Sequence, residues 1–122
     1  MSLEYLGEKV FLDEIRAAGR IWVLRGAHKN IHAAEIEDGY SLPVWSSQDK
    51  AAQFLKIARL IGQAYAPEAV PLEVFIQAWL SDRRMAIREL QLNPDGKTSR
   101  VLIVSREEFL AAQGMQPPSN LV

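Results

Sequence analysis

The chain has 122 residues, a formal net charge of −1, 48% hydrophobic and 24% charged residues, and no cysteine. That apolar content is enough to offset the entropy of ordering one domain, so the composition excludes a disordered chain and predicts a single hydrophobic core. The lack of thiols excludes disulfides, thiolate metal sites, iron–sulfur clusters and a cysteine nucleophile, and the near-zero charge argues against bulk nucleic-acid affinity.

No apolar run approaches the ~20 residues of a membrane helix; "IWVL" and "VLIV" are strand-sized. The N-terminal "MSLEYLGEKVF" puts an acid where a signal peptide carries basic residues, and "MSL" could be an expression scar. The expectation is a soluble cytoplasmic protein with one domain over 1–114 and a frayed tail over 115–122.

From Glu4 to Ala18, apolar Leu6, Val10, Phe11, Ile15 and Ala18 recur at helical spacing, and Gly19 supplies a stop. "RIWVLRG" reads as a strand, rich in branched and aromatic residues. "NIHAAEIEDGYSLPVWSS" predicts a hairpin turning at Asp38-Gly39, with Pro43 marking an edge or irregular position. Ala51, Phe54, Leu55, Ala58, Ile61 and Gly62 predict one amphipathic helix. "QAYAPEAVP" is a connector into a short strand. Leu72, Phe75, Ile76, Trp79 and Leu80 predict another helix, with Pro71 at its start. "MAIRELQL" and "KTSRVLIV" flank the turn "NPDG" as a second hairpin. "SREEFLAAQG" is a short helix in which Ser105 and Glu108 form a capping box. The fold class is α+β: a largely antiparallel sheet of two hairpin units with about four helices packed on it.

Catalytic patterns are sparse. Ser46 and Ser47 lack the flanking glycines of a nucleophile elbow, and only His28 or His32 could serve as a histidine base. Ser46 before a helical pattern, with Asp49 three residues on, reads instead as a helix cap. His28 and His32 have zinc-ligand spacing for a helix but lie in a strand-and-loop context, so no metal is expected even with Glu35 and Glu37 nearby. The pairs Asp13-Glu14 and Glu107-Glu108 suit a helix surface and a helix first turn. No phosphate-binding glycine motif is present, so no cofactor is expected. Trp22, Trp45 and Trp79 read as core residues.

Charge is uneven between Arg83 and Arg106. Arg83, Arg84, Arg88, Lys97, Arg100 and Arg106 face only Glu89 and Asp95 there. No aromatic residue interleaves with them, which disfavours base stacking and nucleic acid. Arg83, Arg84, Arg88 and Arg100 are therefore the candidate residues for binding a protein partner. Two strand registers are open: Leu92 opposite Lys97, with Glu89 facing Arg100, or a bulged register with Arg88 and Arg100 on one face.

The segments "FLDEIRAAGRIWVL", "LPVWSSQDKAAQFL" and "VPLEVFIQAWL", with two strands and a terminal "SREEFL", resemble a bacterial family, domain of unknown function 2750. The likeness spans Phe11 to Leu110 and departs in "GAHKNIH" and in the arginines of "DRRMAIREL". It implies a bacterial, cytoplasmic α+β protein and carries over no catalytic residue. The functional expectation is a non-catalytic protein-binding or accessory module, monomeric or homodimeric. The alternatives are an immunity-type protein that neutralises a toxin, and a small enzyme with a dispersed Glu/Arg/His site.

Overall fold

The computed structural model describes residues 3–98 and 100–114. The expected frayed tail, 115–122, lies outside the described residues. In chain order the elements are α1 (Leu3–Ala18), β1 (Arg20–Gly26), β2 (Ala34–Ile36), β3 (Gly39–Val44) and α2 (Gln48–Ile57). There follow α3 (Arg59–Gly62), β4 (Tyr65–Pro71), α4 (Leu72–Val74), β5 (Ile87–Leu92), β6 (Leu102–Ser105) and α5 (Arg106–Ala112). The fold is α+β with mostly antiparallel pairing: β1 pairs with β4, and the other four strands lie in the order β2-β3-β5-β6.

Side-chain alternation along β1 explains the unbroken apolar run "IWVL". Ile21 and Val23 point into the larger core cluster with Phe11, Leu42, Phe75 and Phe109. Trp22 and Leu24 point the other way, toward Trp45, Ala51 and Phe54. A strand buried on both faces has no polar side to show in its sequence. Trp22 and Trp45 exchange backbone hydrogen bonds of 2.8 and 2.9 Å, which join the two sheets.

The first hairpin forms, but its turn is shifted by one residue. Ile36 pairs with Gly39, so Glu37 and Asp38 make the turn, and neither adopts positive φ. Gly39 serves closeness rather than twist: the Tyr40 N–H donates to the Ala86 carbonyl at 2.8 Å, and a Cβ on Gly39 would strike that oxygen. Beyond Ser41, β2 has ended while β5 continues alongside Pro43. The proline thus occupies a stretch of β3 where its missing donor disrupts no pairing with β2.

The two hairpins are not separate units. β3 and β5 run parallel, and α2, α3, β4 and α4 form the crossover between them. β5 and β6 are antiparallel with Leu92 opposite Leu102 and Glu89 opposite Ser105. Neither anticipated register occurs. Asn93, Pro94 and Gly96 are fastened to Ser46, Trp45 and Ile57, and β6 begins at Leu102.

Two helices also differ from their sequence patterns. The single helix predicted through Gly62 breaks at Ala58, whose ψ of 69° ends α2 before α3 begins. The break leaves Ile61 packed near Trp45 while Leu60 is wholly exposed. After α4, Phe75–Trp79 form a π-helical turn in which the Leu80 N–H reaches the Phe75 carbonyl at 3.0 Å. Phe75, Ile76 and Leu80 are still buried, so the apolar spacing reported burial correctly while the helix type went unseen.

Ser105 caps α5 in a reciprocal capping box with Glu108, at 3.0 Å in both directions. At α2 the cap is Ser47, not Ser46. The Ser47 hydroxyl accepts the Lys50 N–H at 3.2 Å, whereas Ser46 is buried and its hydroxyl donates to Glu14. Ser47→Ala should cost about 1 kcal/mol and Ser47→Asp should retain most of that stability. Ser46→Asp should be the more damaging of the two aspartates, because it places a second carboxylate against Glu14. Thermal unfolding of the three variants checks the assignment.

Candidate functional site

Ser46 is the centre of a polar knot linking three elements. Its Oγ donates to Glu14 Oε1 on α1 at 2.7 Å and accepts from Asn93 Nδ2 at 3.2 Å. Its N–H donates to Asn93 Oδ1 at 2.9 Å. Lys50, one turn into α2, completes the knot with Nζ 3.0 Å from Glu14 Oε1 and 3.3 Å from Ser46 Oγ. A serine nucleophile needs a base to take its proton and access to a substrate. Here the hydroxyl is buried and its hydrogen faces a carboxylate already paired with lysine, so the knot reads as a structural tie. The Ser46 hydrogen bond, followed by that of Lys50, holds the Glu14 carboxyl below its ordinary 4.5.

The same knot starts the loop after β5. Asn93 adopts φ 51°, its N–H donates to the Val44 carbonyl at 2.8 Å, and the next residue's carbonyl accepts the Trp45 indole N–H at 2.8 Å. Asp95 Oδ1 then accepts the backbone N–H groups of Lys97 and Thr98 at 2.8 and 3.0 Å. Those two bonds hold its carboxyl below the ordinary 3.8. Gly96, at φ 76°, turns the chain against Ile57 and Phe54 of α2. Between this loop and α2 lies a cleft of about 540 Å³, lined by Lys50, Gln53, Lys56 and Ile57 on one side and Asn93, Pro94, Asp95 and Lys97 on the other. The lysines were visible in the sequence, and Lys50, Gln53 and Lys56 share one helix face. What the sequence did not show is that the loop folds back upon that face.

The arginines divide between the two ends of β5. Arg83, Arg88 and Arg106 line one recess of about 360 Å³ together with Asp82, Ala86 and Ile87. Arg88 also donates to the Asp38 carbonyl at 3.0 Å, and Arg106 donates to the Leu80 carbonyl at 3.2 Å. Arg84 turns onto Asp82, at 2.9 Å through its backbone and 3.2 Å through Nε. Arg100 belongs to the far end, beside Leu6, Val10 and Leu102. The long loop separates it from the other three candidates. Glu89, which one register would have set against Arg100, instead accepts the Ser41 hydroxyl at 2.7 Å.

His28 is exposed in a tight turn at φ 58°, and His32 packs edge-on against Tyr65 with ring centroids 5.3 Å apart. Burial pushes the His32 imidazole below its ordinary 6.5. Among the described residues no three His, Asp or Glu side chains gather in a way that could hold a metal ion. Among them, too, no helix is long and apolar enough to cross a membrane.

These features define a small α+β domain with a basic recess at one end of its central strand and a lysine-lined cleft at the other. The chain belongs to the family described as Protein of unknown function (DUF2750), whose model matches residues 9–112. No curated protein matches the sequence.

The Glu14 shift sets a pH dependence. A carboxyl whose folded value lies below its unfolded one adds stability above the unfolded value and loses it as pH falls through the folded one. Glu14→Gln should therefore be less stable than the parent at neutral pH, and the gap should close as pH drops below 4.5. Thermal unfolding of both proteins across that range measures the gap directly.

Proposed function

We propose that this protein is a non-catalytic, cytoplasmic binding module of bacterial origin that engages an acidic surface on a protein partner. The observation that carries the reading is the convergence of Arg83, Arg88 and Arg106 on one recess, with Arg84 beside it. Arginine presents a planar fork that grips carboxylates through two parallel bonds, and it is enriched among residues that dominate interface energies. Arg83 is exposed and makes no ion pair among the described residues, so its charge is available to a partner. The recess has no aromatic lining on which bases would stack, which favours protein over single-stranded nucleic acid. A binding rather than catalytic role is further supported by Ser46, whose hydroxyl is committed to Glu14 and Asn93.

Arg100 takes no part in this surface because it lies at the opposite end of β5. Arg83→Glu, alone and combined with Arg88→Gln, should leave folding almost intact, since surface changes usually fall within ~0.5 kcal/mol. Both should reduce capture of the partner from a lysate of the source organism, with the loss greatest at low salt. Equal recovery by parent and double variant, compared side by side at low and high salt, would remove the arginine end from consideration.

A further inference from the structure

The cleft between α2 and the loop following β5 has no place in the arginine-based reading, yet it is the more firmly built of the two. Its loop wall is fastened at four points: Asn93 to Ser46, Pro94 to the Trp45 indole, Asp95 to its own backbone, and Gly96 against Ile57. None of these contacts consumes the Lys97 side chain, which the loop carries to the cleft opposite Lys50 and Lys56. Lys50 shares its ammonium with Glu14, while Lys56 and Lys97 make no ion pair among the described residues. The one carboxylate in the lining, Asp95, spends Oδ1 on two backbone amides of its own loop. Asp95 stays ionised and offsets one charge, and Glu14 offsets that of Lys50, so the three lysines leave a net positive cleft in which the Lys56 and Lys97 ammoniums remain free of ion pairs among the described residues.

We propose that this cleft is a binding site for a small phosphomonoester, with Lys56 and Lys97 gripping the phosphate and Lys50 supporting it from the Glu14 side. The volume of about 540 Å³ suits a small molecule, because such sites commonly span about 300–1,000 Å³. Lysine binds phosphate as a compact point charge, and two ammoniums without partners match a dianion better than a single carboxylate. Gln53, exposed on the same helix face, adds a neutral donor to the phosphate end. Ile57, 44% exposed, offers an apolar surface to the organic part of the ligand, with the buried Pro94 at the base of the cleft. Because the loop is already fastened, binding does not have to order it, which lowers the entropic cost.

The test uses the full chain, isotope-labelled, in amide NMR titrations with phenyl phosphate, inorganic phosphate, benzoate and a phosphoserine peptide. Phenyl phosphate should give saturable shifts confined to 50–57 and 93–98, with weaker binding by inorganic phosphate and weaker still by benzoate. Lys56→Gln combined with Lys97→Gln should lower the phenyl phosphate affinity roughly tenfold or more, as expected for losing charge-assisted bonds, at unchanged thermal stability. Arg83→Glu, at the other end of β5, should leave that affinity untouched. Unsaturable shifts, shifts spread over the surface, or equal affinity in the lysine double variant would overturn the site. Tighter binding by the phosphopeptide than by phenyl phosphate would overturn the assignment to a small molecule.

Discussion

The fold depends on how Trp45 is held. Its backbone exchanges two hydrogen bonds with Trp22, and this bridge ties the β1–β4 pair to the end of the four-stranded sheet. Its ring is fully buried against Phe54, with centroids 5.1 Å apart, and its indole N–H satisfies the Pro94 carbonyl. A buried indole needs such a partner, and the partner chosen here determines where the loop after β5 must lie. The next two residues extend the same logic. Ser46 ties α1 and Asn93 to this point, and Ser47 starts α2. One short segment therefore fixes the sheet junction, the second helix and the shape of the cleft.

Backbone strain marks both ends of β5. Ala86 and Asn93, the residues just before and just after it, both have φ 51°. A side chain in the left-handed region costs on the order of 1 kcal/mol or more, less for asparagine than for alanine. Each is held by a specific contact: the Ala86 carbonyl accepts the Tyr40 N–H, and the Asn93 amide spans the backbone and hydroxyl of Ser46. The strand is thereby cut sharply at both ends, and the chain leaves it abruptly into the arginine recess on one side and the lysine cleft on the other. Two basic sites can then coexist without merging into one field, since β5 with its six residues is about 20 Å long.

The polar knot at Ser46 shows why a serine pair before a helix is ambiguous. Both serines suit the positive end of a helix, but α2 begins at Gln48, so only Ser47 stands where its hydroxyl reaches the third amide along. Ser47 has φ −150° and ψ 157° and takes that role. Ser46, one residue earlier, points to the opposite side, where Glu14 and Asn93 surround it. The two residues differ in function because adjacent side chains on an extended chain face opposite ways.

The features legible in the chain alone are local ones. Apolar spacing located α1 and the buried face over Phe75, Ile76 and Leu80; the capping box at Ser105 and Glu108, complete within four residues, located α5; and the run "IWVL" marked a strand. Each of these depends on contacts a few residues apart or on a face that must be apolar whatever covers it. Tertiary structure alone decided the rest. The parallel pairing of β3 and β5, the one-residue shift of the first turn, the register of Leu92 with Leu102, and the choice of Ser47 over Ser46 all turn on groups 30 to 50 residues away. Periodicity says which side of an element is buried, not which partner buries it. That is why the arginines could be counted in advance but not sorted, and why the lysine cleft, made by a loop returning to a distant helix, had no signature in the sequence.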